Sequence, residues 1–327
     1  MKIMIVGLGV IGTTYAYAFQ KAGFDTEHFI RVEKRQSCPK KISVKLLDGR
    51  ENGKGKIIHD TYTVHQAHTG ANYDLILLSV SGDKWRAAIK TLDDNRLYGP
   101  ILMFNGISDT KRSVDAACKG RNYILGYPVA GGKMDIEKGE LDCVLFDHVM
   151  LEHKNKANID NYADITHLFH QSKIKLECPF DMQEWIWLHM AINAGVITTA
   201  ASLASIKDTV SAARQLMNRT AGLSQAILTI RECIKIVQAT GVTMSHYRNE
   251  IIPYKLPSKL GAFIMKRMFK TNQLTRRIME IHANINDLLY VCKSVHDKGK
   301  ELHVKTPYFD KYFQQMMQQI AEFENGK

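Results

Sequence analysis

Several classes of protein are excluded by what this 327-residue chain has little of. Its six cysteines, Cys38, Cys118, Cys143, Cys178, Cys233 and Cys292, are scattered without a CxxC spacing. That distribution signals neither a zinc site nor a disulfide framework, and the thiols read as reduced and cytosolic. No metal is therefore expected. No apolar run approaches the roughly 20 residues that span a bilayer. The start, MKIMIVGLGVIG, is basic and then apolar, but it leads into a glycine pattern and lacks the small-residue cleavage site of a signal peptide. A cytoplasmic chain with no membrane partner is expected. Internal repeats and low-complexity segments are also missing. With 24% charged and 45% hydrophobic residues the chain is neither disordered nor a coiled coil, and it is long enough for two domains.

Acidic side chains are in short supply too: 33 Asp and Glu stand against 44 Lys and Arg, a formal charge of +11. Residues 31–56 carry nine basic side chains and three acidic ones, and residues 255–277 carry seven basic and none acidic. Such a field favours phosphates, carboxylates or nucleic acid. Neither block has the aromatic interleaving that base contact uses, so nucleic acid is not expected, and many of these lysines read as a solvated face.

What is present alternates. Lys2–Val6 is a short apolar strand that ends in Gly7-Leu8-Gly9-Val10-Ile11-Gly12, and a helix follows from Thr13 to Ala22. Further parallel strands are predicted at Glu27–Arg31, Asp74–Val80 and Pro100–Phe104, with a helix at Trp85–Leu92. Residues 42–65 read as short antiparallel strands decorating the sheet edge. Residues 123–151 read as a further strand or two with Gly131-Gly132 as a turn. After Pro179 strand-like runs nearly vanish. Helices are predicted at Met182–Ala204, Thr209–Thr240, Ser258–Lys270, Leu274–Lys298 (ended by Gly299) and Pro307–Phe323. The fold class is therefore α/β: a Rossmann-type doubly wound sheet over residues 1–178, then an all-helical domain over 179–327.

A GxGxxG pattern carries meaning only in context, and here it follows a strand and opens a helix. Gly7 suits the tight turn, Gly9 the approach of backbone to a pyrophosphate, and Gly12 close helix-to-strand contact, at a helix end whose partial positive charge favours phosphate. An NAD site places an acid at the end of strand two. Here Arg31 stands there with Lys34 and Arg35 beside it, and a guanidinium pairs with a 2′-phosphate. NADP(H) is the expected cofactor, unless Glu33 turns inward as the acceptor.

The chain resembles the ketopantoate reductase (2-dehydropantoate 2-reductase) family end to end. The resemblance rests on Gly7–Gly12, Arg31, Phe104-Asn105-Gly106, Trp187 to Asn193, and Met279-Glu280-Ile281 followed by Lys305-Thr306-Pro307. It implies a Rossmann domain, a helical domain, and reduction of a 2-keto acid by NADPH in the cleft between them. It also implies a cofactor site that includes Leu8, Val10, Ile11, Ser79 and Asn105, substrate contact by Asn193, substrate or cofactor contact by Glu280, and a possible homodimer. Departures are informative. The family's catalytic lysine position holds His189; a second asparagine is Ile197; the strand-three lysine is Ser81, with Lys84 nearby; and a substrate-binding serine is Met268. With four polar positions changed, a small anionic 2-oxo acid other than ketopantoate is the expected substrate.

Reducing a ketone requires a group that polarises the carbonyl oxygen and supplies a proton. Histidine is competent, and His189 and Asn193 are four apart, on one helical face. Glu280 from another helix would orient the imidazole, or serve only as a surface partner for Arg276 or Arg277. The competing interpretation is a non-catalytic NADPH-binding sensor that has lost its proton donor. His59, His65 and His68 lack acidic or cysteine partners at metal-ligand intervals.

Overall fold

The computed structural model describes residues 1–157, 159–281 and 284–324. The chain divides into two compact units, Met1–Gln183 and Glu184–Lys327.

The first unit contains β1 (Lys2–Val6), α1 (Val10–Lys21), β2 (Asp25–Phe29), β3 (Lys41–Asp48), β4 (Lys56–Thr63), β5 (Leu75–Leu78), α2 (Trp85–Asp94), β6 (Ile101–Phe104) and α3 (Lys111–Cys118). It continues with β7 (Tyr123–Tyr127), β8 (Ala130–Asp135), β9 (Glu140–Leu145), β10 (His148–Leu151), α4 (Tyr162–Gln171) and β11 (Lys175–Glu177). Seven strands form one sheet in the order β11-β10-β7-β6-β5-β1-β2. The β2-β1, β1-β5, β5-β6 and β6-β7 pairs are parallel. Strands β5 and β6 are buried at every residue, as expected for a sheet covered on both faces. The chain runs from β1 to β2 on one side and returns to β5 on the other. This makes the carboxyl end of β1 a topological switch point, where open α/β sheets bind ligands.

Residues 42–65 do form antiparallel strands, but they do not decorate the main sheet. β3 and β4 join β8 and β9 in a separate sheet ordered β4-β3-β9-β8. Gly131 and Gly132 lie inside β8 rather than in a turn. A Cβ on Gly132 would lie 2.5 Å from the Asp142 carbonyl and 2.9 Å from Val10 Cγ1, so the glycine lets β8 press against α1. Helix α1 is thereby enclosed, and Gly12 to Phe19 are buried without interruption. That explains its apolar, non-amphipathic sequence. Tyr15 packs edge-on to Phe104 at 4.8 Å, and Phe19 edge-on to Phe169 at 5.6 Å.

The second unit is helical among the described residues: most of α5 (Met182–Leu203), then α6 (Thr209–Asn218), α7 (Thr220–Ala239), α8 (Arg248–Lys255), α9 (Ser258–Thr271), α10 (Gln273–Ile281), α11 (Ile285–Glu301) and α12 (Pro307–Glu324). Two predicted helices are broken. Arg219 adopts extended backbone between α6 and α7, in an Asn-Arg-Thr stretch of weak helix formers. The 274–298 helix is two elements, α10 and α11, and Asn284 caps α11 by accepting from the Asn286 N–H. Gly299 does not end a helix: it lies inside α11, where a Cβ would meet Ile236 Cδ1 at 2.7 Å. The Glu232 carboxylate accepts from the Tyr308 and Phe309 N–H groups at 2.9 Å each, closing the start of α12.

Helix α5 corrects the survey of hydrophobic runs. Its 22 residues are long and apolar enough to cross a membrane by length and composition, and 56% of its most apolar window is buried within the fold. Its polar residues disguise this in the sequence. Thr198 and Thr199 return their hydroxyls to the Ala194 and Gly195 carbonyls, at 2.8 and 2.7 Å.

Candidate functional site

The glycine turn sits where the switch-point rule places a ligand. Gly7 has φ +84°, a conformation that favours glycine, and its N–H donates to the Phe29 carbonyl at 3.0 Å. Gly9 is exposed, with open space where a Cβ would be; at Gly12 a Cβ would lie 2.6 Å from Ile5 Cγ2 and 2.7 Å from Ser79 Oγ. Leu8, Val10 and Ile11 are partly exposed. Helix α1 has no side-chain cap and no acidic residue in its first turn. Its opening N–H groups and positive end are thus left for an anion. Ser79 follows β5, and Asn105 follows β6, donating from Nδ2 to the Val80 carbonyl at 2.9 Å. The buried Asn105 Oδ1 has no partner among the described residues. These residues converge on the carboxyl ends of β1, β5 and β6.

Strand β2 ends at Phe29, two residues before Arg31, which is exposed. Glu33 does not turn inward. It is exposed and pairs with Arg31 at 3.4 Å. Arg35 donates from Nε to the Ile30 carbonyl at 3.1 Å, and its buried Nη2 has no acceptor among the described residues. A guanidinium donor left over at the end of β2 fits an added phosphate. The uncapped start of α1 and its glycine turn fit the pyrophosphate of a dinucleotide.

A further residue of this site is His28, fully buried on β2. Its Nδ1 is 2.7 Å from the Gly7 carbonyl oxygen and its Nε2 is 2.8 Å from the Tyr62 hydroxyl, which is 3.2 Å from Thr26 Oγ1. A carbonyl only accepts, so Nδ1 carries the proton. Tyr62 then donates to Nε2 and accepts from Thr26. Burial pulls the His28 pKa down to about 4, keeping the ring neutral in this one tautomer. Nothing in its residue type marked His28 in the sequence; a polar side chain at an inward strand position was the only signal.

In the second unit, His189 and Asn193 lie one turn apart on α5, both partly buried. His189 stacks on Trp185 with ring centroids 4.8 Å apart and planes inclined by 12°. Burial lowers its pKa to about 4, so the imidazole is neutral at pH 7. An unperturbed histidine, near 6.5, would hold a usable fraction of each protonation state at neutral pH; buried His189 does not. Asn193 makes no side-chain hydrogen bond among the described residues, which leaves its amide available. Glu280 does not orient His189. Its Oε1 is 3.2 Å from both Arg214 Nε and Arg276 Nε, and its Oε2 accepts from Arg214 Nη2 at 3.5 Å. The sequence had already offered Arg276 as a partner; Arg214, 66 residues away, was not legible in it.

No group of three or more metal-ligating side chains occurs among the described residues. Lys84 is exposed at the start of α2.

A parallel sheet with a glycine turn at its switch point, followed by a helical unit, defines the class: a Rossmann-type α/β fold with a helical second unit. Solved structures narrow it. The chain is similar to a 2-dehydropantoate 2-reductase from Geobacter metallireducens (TM-score 0.69, 13% identity, 97% of this chain and 99% of that one). It is also similar to yersinopine dehydrogenase with NADP+ bound (0.66, 11%, 99% and 92%). A third likeness is to D-mandelate dehydrogenase in complex with NADH (0.63, 14%, 98% and 99%). The chain has the fold of these proteins. No family model matches it, and no curated protein matches it in sequence.

Proposed function

We propose that this chain is a divergent ketopantoate reductase-type oxidoreductase that uses NADP(H) to reduce a small 2-oxo acid or related ketone other than ketopantoate. The glycine turn carries the reading: Gly12 is held against Ile5 and Ser79 while the first turn of α1 stays uncapped beside an arginine-rich strand end. Residues Gly7 to Gly12, Ser79 and Asn105 would hold the dinucleotide, and Arg31 and Arg35 its 2′-phosphate. When bound, the reduced nicotinamide supplies a hydride to the ketone carbon.

His189 supplies the polar contact to the carbonyl oxygen. A neutral imidazole donates a hydrogen bond from a ring N–H, which stabilises developing negative charge, and it passes on that proton if the oxygen becomes basic enough. An anionic substrate beside the ring raises its pKa from about 4, so proton transfer is favoured only in the loaded protein. Asn193, with its free amide, orients the substrate. Glu280 acts through arginines, holding Arg214 and Arg276 rather than touching the reacting atoms. A homodimer is part of this proposal.

The low basicity of His189 also favours a second reading, a non-catalytic NADPH-binding sensor. Turnover decides between them. NADPH oxidation is measured with a panel of 2-oxo acids, and the enzyme reading expects at least one to be reduced, with His189→Leu lowering kcat by about 10²-fold. If no panel member is reduced while NADPH binds stoichiometrically, the sensor reading stands instead.

A further inference from the structure

Helix α9 carries a buried inner side and an exposed outer side. Its inner side is Gly261, Ala262 and Phe269, all buried; a Cβ on Gly261 would meet Ile227 Cδ1 of α7 at 2.8 Å. On the outer side Leu260, Ile264 and Met268 are 49%, 49% and 37% exposed, and Phe263 is 61% exposed. The first three recur every four residues and form one stripe along the helix. Lys259, Lys266 and Lys270 form an adjacent exposed row, with Arg267 between row and stripe and Lys255 just upstream. These five cations make no ion pair among the described residues, and residues 251–279 contain no carboxylate side chain.

We propose that this face of α9 docks on an anionic lipid surface, with the helix lying in the plane of the headgroups. The charge identifies the occupant. Pairing the face with its own copy about a two-fold axis would set cation against cation with no acid contributed by α9 itself. Four of the five cations are lysines, point charges on flexible stems. They suit a diffuse layer of phosphates better than the forked pairing that an acidic protein groove selects. Their stems let the ammonium groups reach the phosphates while Leu260, Phe263, Ile264 and Met268 enter the acyl boundary. The contact is reversible and separate from any spanning segment. It places Met268, the position of the resembled family's substrate-binding serine, on the lipid face rather than at the substrate site.

The test is flotation of the full chain with vesicles of phosphatidylcholine alone and of phosphatidylcholine mixed with phosphatidylglycerol. The expected result is binding only to the mixed vesicles, weakened by salt. The double variant Ile264→Ser/Met268→Ser should lower this binding about tenfold or more. These positions are exposed, so its melting temperature should stay close to the parent's. In Phe263→Trp, emission of the new tryptophan should shift to the blue on adding mixed vesicles. The proposal is overturned if the mixed vesicles do not bind the chain. It is equally overturned if binding survives the double variant, which is adsorption of the basic chain as a whole, or if the variant abolishes only self-association or capture by an acidic protein.

Discussion

At the scale of single residues, the chemistry turns on which side chains have been taken out of water. Gly7, Gly9 and Gly12 were legible because the need for glycine is written in the residue type. His28 was not, since its role comes from three partners at positions 7, 26 and 62 that only the fold assembles. His28 takes up its proton near pH 4 when folded and near 6.5 when unfolded. Between those values the unfolded chain binds more protons, so stability falls as pH drops from about 6.5 towards 4, by up to about 3 kcal/mol for this one group. His189 is displaced to the same value, so His28→Gln should remove about half of the stability loss that the two histidines together produce between pH 7 and pH 5 in denaturant titrations; an unchanged slope would place the titration elsewhere. Because His189 is displaced downward in the free protein, kcat/KM should show no step from this group between pH 6 and 8. His189→Asn keeps an N–H donor and should keep more activity than His189→Leu, a comparison that steady-state kinetics at pH 7 makes directly.

At the scale of elements, period and punctuation revealed most strands and helices but not which sheet they joined. Strands β3 and β4 were visible as antiparallel; their partner β9, about 100 residues on, was not, because long-range pairing leaves no local pattern. Glycine was the most misleading letter. Gly132 and Gly299 resemble a turn and a helix stop, yet each exists for close packing, against α1 and α7. A Cβ at Gly132 has backbone on one side and Val10, the first residue of α1, on the other. Gly132→Ala should therefore destabilise the fold by about 1–3 kcal/mol and weaken NADPH binding, because the opening of α1 has to move. A thermal melt and a cofactor titration of the same sample test both effects. Unaltered binding in a clearly destabilised variant would show that the turn is insulated from β8.

Over the whole molecule, the division into a sheet-bearing and a helical unit was readable from texture. The boundary falls at Gln183, a few residues beyond the Pro179 region where strand patterns stop. The formal charge of +11 gave the sign of the partner but not its position. In the structure the excess has two addresses: the end of β2, where Arg31 and Arg35 lie, and the outer face of α9, where lysines flank apolar side chains. The first address carries the functional account. Its most direct test is calorimetric titration of the purified protein with NADPH and with NADH, repeated for Arg31→Ala. The account predicts one-site binding, a preference for NADPH of about tenfold or more, as one charge-assisted phosphate contact supplies, and a narrower preference in the variant. Equal affinity for the two cofactors in the parent chain, or no binding of either, would contradict it.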